Sequence, residues 1–327
     1  MQITTLVPAF KPQYLSELLT CLQTQTHRPA RVIISDDSPD AAFMRILAEP
    51  QAAPVVQALN LQVVRGPQRG PWANGQHLMA LYGGATPLFH LLMDDDILYP
   101  SFYARHVQAH QAAHALAAVS RRWYARDAGQ PVGDLPVPAA IDTHGHRLLP
   151  LGPALLFSQI AGTGNNWLGE FSNTTFRAEM APFFRCPEIA GLMVSGLQDI
   201  GAMLAASLQA PLLYLNEHLG YFRTSATQNS AQPRSRAFKQ GVLAWIALAI
   251  AGRTLGHLDA AQAQAAIART AQHALERYGQ EPDLQALCAS LPALIAGSPG
   301  AEAAFLTHWQ ALADPRDTPP LESTRHD

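Results

Sequence analysis

The chain is 327 residues long, which at roughly 150 residues per domain suggests about two units with ample material for a core. Its 22 lysines and arginines against 25 aspartates and glutamates leave a net charge of −3, with 14% charged and 48% hydrophobic residues. That balance excludes a disordered chain and lacks the basic excess that coats nucleic acid, so no nucleic-acid partner is expected; the local cluster Arg121, Arg122 and Arg126 around Trp123 and Tyr124 reads as a solvated helix end.

Cys21, Cys186 and Cys288 lie far apart, without the paired spacing of a disulfide framework or a structural zinc site. A reducing cytoplasm is the expected location. No basic start followed by an apolar stretch and a cleavage site is visible, and the longest apolar run, Val242 to Ala251, is about half a membrane span. A soluble protein is expected, with peripheral contact at the inner face of a membrane left open.

In chain order, Ile3 to Val7 reads as a strand ended by Pro8, and Tyr14 to Gln25 as a helix through Leu15, Leu18, Leu19 and Leu22. Val32 to Ile34 is a second strand opening into Ser35-Asp36-Asp37-Ser38-Pro39-Asp40, followed by a helix from Ala41 to Ala48. Leu61 to Val64 is a third strand, Trp72 to Tyr82 a helix, and Leu88 to Met93 a fourth strand that runs into Asp94-Asp95-Asp96. This alternation predicts an α/β fold, a mostly parallel sheet flanked by helices, with ligands beyond the carboxyl ends of the strands. Gly129 to Pro153 is proline- and glycine-rich and reads as a long, partly irregular segment. Beyond it are expected a strand at Phe171 to Arg177, a helix at Leu197 to Leu208, a strand at Leu212 to Leu215 and a polar loop at Tyr221 to Gln232. From Arg236 the chain reads as several short packed helices without a repeat, and from Asp314 as disordered.

Three adjacent acids at the end of an apolar strand repel one another, and a hard divalent cation with oxygen ligands offsets that repulsion. Asp94 and Asp96, two apart on an extended chain, project to one side. Because Mg²⁺ takes few protein carboxylates and completes its shell with water and phosphate, such a site implies a diphosphate-bearing ligand. A solvated acidic turn is the plainer reading of the same residues. Asp36 and Asp37 either accept hydrogen bonds from a base or ribose, or cap the following helix.

Taken together, Thr5-Leu6-Val7-Pro8-Ala9-Phe10, the stretch Gln25 to Asp40, Gly70-Pro71-Trp72-Ala73-Asn74 and Met93 to Pro100 resemble the opening half of family 2 glycosyltransferases. The resemblance resumes at Asn166 to Ser172, Thr175-Phe176-Arg177, Gln198-Asp199, and Leu219 to Arg223 with Gln228-Asn229-Ser230, and so covers about residues 1–235. It implies a type A glycosyltransferase fold with 1–235 as catalytic domain; beyond the resemblance, the Ala-rich composition of the helical region 236–313 offers packing faces for acceptor recognition or dimerisation, and 314–327 reads as a disordered tail.

By the same resemblance, the ligand is a nucleoside-diphosphate sugar of UDP or dTDP type, the cofactor is Mg²⁺ or Mn²⁺, and the acceptor is a glycan, lipid or protein. Pro8, Phe10, Asp36, Asp37, Asn74, Asp94, Asp95 and Arg223 would bind the donor. Asp96 and Asp94 would hold the metal, with Asp96 in direct contact. Asp199 would be the catalytic base of an inverting transfer, although an aspartate at a helix start is also favoured as a cap. Glu170, Ser172 and Trp167 are candidate acceptor contacts, and Trp72 or Trp167 could stack a sugar.

Departures from the family pattern are Gln198 in place of a glutamate, Ser225 in place of a histidine (with Gln228 or Ser230 as substitutes), a turn at Asp36 to Asp40 one residue short, and Gln76 in place of an asparagine. The missing glutamate and histidine keep in view a non-catalytic sugar-nucleotide-binding or scaffold protein, and the related nucleotide-binding sheet a nucleotidyltransferase. His106, His110 and His114 share one helical face and are a weaker transition-metal candidate.

Overall fold

The computed structural model describes residues 1–224 and 232–314. Ser225, Gln228, Asn229 and Ser230, and the tail after Asp314, lie outside the described residues.

The first half alternates as expected: β1 (Ile3–Ala9), α1 (Leu15–Gln23), β2 (Arg31–Asp36), α2 (Ala42–Leu47), α3 (Ala53–Ala58), β3 (Leu61–Arg65), α4 (Pro71–Tyr82) and β4 (Leu88–Leu91). Next come β5 (Ile97–Leu98), α5 (Phe102–Ala112), β6 (Ala117–Ala125), β7 (Pro131–Gly133), β8 (Leu148–Leu151), α6 (Pro153–Gln159), β9 (Thr174–Arg177) and α7 (Ala181–Arg185). The chain then forms the ribbon β10 (Glu188–Ile189) and β11 (Leu192–Met193), α8 (Gln198–Ser207), β12 (Leu212–Arg223), and four helices, α9 (Arg236–Thr254), α10 (Ala260–Tyr278), α11 (Gln285–Ile295) and α12 (Ala301–Ala313).

One sheet of ten strands runs in the order β3-β2-β1-β4-β9-β6-β12-β5, with β7 on β6 and β8 on β12. β3, β2, β1 and β4 pair in parallel, as do β6 and β12; β5, β7, β8 and β9 run against them. The chain moves outward from β1 to β3 and returns to β4 on the other side of β1. That reversal makes a switch point between β1 and β4, where open α/β sheets leave a crevice at the carboxyl ends.

Strand alternation divides the core. Ile33, Phe89, Ala117 and Val119 face one cluster with α4, α6, α7 and α8, while Val32, Ile34, Leu88 and Ala118 face another with α1, α2 and α5. The first cluster runs without a break into α9 to α12 through Leu243, Ile246, Ile267, Leu291, Phe305 and Trp309. The residue 235/236 boundary therefore lies inside one continuous core. Among the described residues, no helix is long and apolar enough to cross a membrane.

Pro8 does not end β1 but sits within it, opposite Ser35. Leu6 accepts from Leu92 and Ala9 accepts from Asp37, so ladder bonds alternate sides and Pro8 faces the β4 side, where β4 has ended. Its missing N–H therefore breaks no ladder bond.

The expected loop at Tyr221 is instead the end of β12, which continues past Leu215 through irregularities on either side of His218. Arg121 and Arg122 are likewise in a strand, β6, rather than at a solvated helix end: Arg122 is buried and ion-paired to Glu170, and Arg121 to Asp134.

Trp309 is fully buried and donates from Nε1 to the Met193 carbonyl at 3.0 Å. Trp309→Ala should cost about 3–5 kcal/mol and lower one shared melting transition, because the helices and sheet share this core. Calorimetry showing a sheet transition untouched by the substitution would count against the shared core.

Candidate functional site

The site lies where β1, β2 and β4 end. Each carboxylate of Asp94-Asp95-Asp96 is handled differently. Asp94 Oδ2 accepts the main-chain N–H of both Phe10 and Lys11 at 2.6 Å, which pins the turn after β1 onto the end of β4. Burial and the neighbouring Asp95 charge still push its carboxyl up to about 6. Asp95 pairs with the Lys11 ammonium. Asp96 Oδ1 accepts the Arg223 N–H at 2.9 Å, and burial and Asp95 hold its carboxyl well above the usual range.

Among the described residues, Ser35 Oγ, Asp37 Oδ2, Asn74 Oδ1 and Asp96 Oδ2 are buried polar atoms without a hydrogen-bond partner. Leaving such groups unpaired costs about 1–3 kcal/mol each, so four of them, at the ends of β2 and β4 and in the first turn of α4, read as a surface prepared for a polar ligand. Two of them, Asn74 Oδ1 and Ser35 Oγ, lie against Gly66 together with the other oxygen of Asp37. A Cβ there would collide with Asp37 Oδ1 and stand 3.0 Å from both Asn74 Oδ1 and Ser35 Oγ, so the open space depends on the missing side chain.

Asp36 and Asp37 separate in role. Asp36 is fully buried and accepts from Ser38 N (2.9 Å), Ser38 Oγ (2.6 Å) and Met44 N (3.0 Å), which fixes the turn and the start of α2. Among the described residues Asp37 accepts only from Gln68 N through Oδ1, at 2.6 Å, and burial raises its carboxyl above the ordinary value. Asn74 is aimed by its Nδ2 bond to the Ser35 carbonyl at 3.0 Å. Phe10 is 48% exposed beside them, free to pack against a planar ring.

Across the crevice, Asp199 stands in the first turn of α8 and accepts the Ile200 N–H at 2.8 Å. Burial, then the nearby Glu170 charge, pushes its carboxyl up to about 7. Glu170 itself is held by Arg122, whose guanidinium lies over Tyr124 at 5.0 Å. The glutamine before Asp199 turns back on its own loop, Gln198 Oε1 accepting Gly196 N–H at 3.0 Å.

Ser172 is buried, its hydroxyl accepting the Met93 N–H at 3.1 Å and its carbonyl receiving His90 Nε2 at 3.0 Å. A carbonyl only accepts, so His90 carries its proton on Nε2 and accepts from Tyr103 at Nδ1, 3.0 Å away. Burial holds His90 down to about 3, and hence neutral. Nothing in the sequence near His90 singled it out.

The remaining candidates are packed inward. Trp167 is 3% exposed and meets Tyr214 edge-on at 5.6 Å. Trp72 stacks on Phe184. The Arg223 side chain is 1% exposed, with Nε on the Asp95 carbonyl (2.8 Å), Nη2 on Glu17 (2.8 Å) and Nη1 on the Asp127 carbonyl. Those bonds make it a brace behind the carboxylates. His106 and His110 both bond Thr175 Oγ1, at 3.0 and 3.1 Å, and are kept neutral by burial; His114 lies beyond the end of α5. The histidine row is thus a packing feature.

A divalent cation fits this donor set only in one way. Among the described residues no three His, Cys, Asp or Glu side chains converge, which suits a hard ion that takes one or two carboxylates and fills its shell with water and phosphate. Asp96 Oδ2 is the oxygen available for it.

No protein-family model and no curated protein sequence matches the chain. Solved structures do. S. aureus TarS 1-349 in complex with UDP-GlcNAc superposes with a TM-score of 0.57 at 14% identity, covering 96% of this chain and 90% of that one. The mannosyltransferase PcManGT from Pyrobaculum calidifontis, in complex with GDP-Man and Mn²⁺, gives 0.51 at 14% identity over 95% and 86%. At such identity the likeness is one of fold, and the fold it shows is that of these nucleotide-sugar complexes, extending through the C-terminal helices.

Proposed function

We propose that the chain transfers a sugar from a nucleoside-diphosphate sugar to a nucleophile on a glycan, lipid or protein acceptor, with inversion and with help from a divalent cation. The observation that carries this reading is the set of unpartnered buried atoms Ser35 Oγ, Asp37 Oδ2, Asn74 Oδ1 and Asp96 Oδ2, at the ends of β2 and β4 and the start of α4. The ligands of the two structural neighbours, UDP-GlcNAc in one and GDP-Man with Mn²⁺ in the other, support the same class.

In this reading Asp37, Ser35 and Asn74 take the nucleoside, with Phe10 and the backbone at Pro8 beside the base. Asp96, with Asp94 behind it, anchors the cation. When bound, that cation would offset the charge that grows on the departing diphosphate. Asp199 accepts the acceptor's proton as the new bond forms on the face opposite the leaving group. A carboxyl titrating near 7 suits that task at neutral pH, since it is substantially ionised yet still basic. Arg122 holds Glu170 beside Asp199, so the pair tunes the base without touching the sugar.

A non-catalytic nucleotide-sugar-binding protein is the second reading. What favours it is Gln198, which offers an amide to its own loop where an ancillary acid would stand.

A thermal-shift screen of UDP-, dTDP- and GDP-sugars with Mn²⁺ or Mg²⁺ should find at least one stabilising ligand, and product assays should then detect transfer or slow donor hydrolysis. Stabilisation without either reaction selects the non-catalytic reading. Asp199→Asn should leave donor affinity within about twofold and lower transfer about 10²- to 10⁴-fold. Asp37→Ala should weaken nucleotide binding with little loss of stability, whereas Asp36→Ala should cost about 2–4 kcal/mol of stability through three orphaned donors.

The raised carboxyl of Asp199 also sets a sign. Its folded value lies above the 3.8 of an ordinary aspartate, so it favours folding while protonated, and that contribution is lost as pH rises through about 7. Asp199→Asn should therefore melt close to the parent at pH 4 and above it at pH 8. A gap that does not widen with pH would contradict the raised value.

A further inference from the structure

Of the three acids after β4, only Asp95 is met by a side-chain cation from the turn after β1. Lys11, two residues past the end of β1, places its ammonium on Asp95; the Lys11 side chain is 22% exposed and that of Asp95 is 8%. The ammonium thus lies at the rim, between buried carboxylates and the crevice. Its backbone is fixed, because Asp94 holds the N–H of both Phe10 and Lys11. Its four-carbon stem is not fixed in the same way, and a compact ammonium on such a stem can be re-aimed at modest cost.

Arg223, the other cation against this loop, is 1% exposed and spends its donors on Asp95 O, Asp127 O and Glu17, so it cannot swing toward a ligand without dismantling the brace. Lys11 is therefore a positive side chain placed to reach a phosphate at the β1–β4 switch point.

We propose that Lys11 is a resident cation of this site. In the free protein it neutralises Asp95. When a nucleoside diphosphate enters, its ammonium donates to a diphosphate oxygen and shares with the divalent cation the charge of the leaving group. This rests on the nucleotide-sugar reading above. It explains why three carboxylates can crowd a site meant for a polyanion: part of the neutralisation is covalently built in, and the remaining acid, Asp96, is left for the ion.

Lys11→Ala removes the ammonium and keeps the main-chain N–H that Asp94 needs. Calorimetric titration with UDP, dTDP and GDP, in EDTA and in saturating Mn²⁺, is compared with titration by the matching nucleosides; Mn²⁺ alone is titrated by electron paramagnetic resonance. In EDTA the substitution should weaken the tightest-binding diphosphate by about tenfold or more, the size of a lost charge-assisted bond, and leave its nucleoside unchanged. In Mn²⁺ the loss should shrink to a few fold. Mn²⁺ alone should bind Lys11→Ala several-fold more tightly, since Asp95 is released, and Lys11→Arg should keep most of the diphosphate affinity.

Equal diphosphate affinity of parent and Lys11→Ala in EDTA overturns the proposal, as does equal weakening of nucleoside and diphosphate, or parental binding that vanishes altogether in EDTA. If the parent binds none of the diphosphates under either condition, the nucleotide-sugar reading itself fails. Binding that ignores the substitution removes only the role of Lys11.

Discussion

Three consecutive carboxylates at the end of a buried strand must be neutralised where water has little access, and much of the surrounding structure answers that demand. Asp94 recruits two amides from the turn after β1, Asp95 recruits the Lys11 ammonium, and Asp96 recruits the Arg223 amide from the end of β12. Each contact spans more than eighty residues of sequence, so the acids act as the knot that joins three separate segments. Arg223 tightens it from behind, lying 4.3 Å over the Tyr14 ring and reaching Glu17, so the start of α1 belongs to the same assembly.

The opposite wall is positioned by a different kind of contact. The loop before Asp199 is gripped by the C-terminal helices: Ser195 Oγ donates to the last carbonyl of α12, that of Ala313, at 2.7 Å, and Gly196 lies so close to α9 that a Cβ would overlap the Gly241 N–H group. Gly196 also has φ +87°, a backbone state that favours glycine. The helices thus do for Asp199 what Arg223 does for Asp96, and their shared core with the sheet is the reason they can. Ser172 and His90 tie the turn before β9 to the end of β4.

What could be read in advance follows from which signals are local. β1 to β4 and both acidic clusters were legible because a buried parallel strand is a short apolar run, and its end is marked where acids interrupt it. β6 was missed because Ser120, Arg121 and Arg122 break such a run, and only the partner Glu170, 48 residues on, makes a buried arginine tolerable. β12 was cut short at Leu215 for a related reason: Asn216, Glu217 and His218 fall at its irregularities, where the pairing with β6 shifts. The division of labour between Asp36 and Asp37 was not legible at all. Adjacent and identical, they differ only in whether Ser38 and Met44, or open space at Gly66, lies opposite.

The chain has a net charge of −3, and two of the cationic groups near the crevice are committed inward, Arg122 to Glu170 and Arg223 to Glu17. An anion approaching this edge would meet acids first. Attraction must then come from cations that are short-ranged and local, a lysine already seated among the carboxylates and an ion drawn by Asp96, rather than from a long-range field. Such a site gains little by steering and depends on contact, so its affinity should be set by how well the ligand's phosphates replace Asp95 as the partner of Lys11.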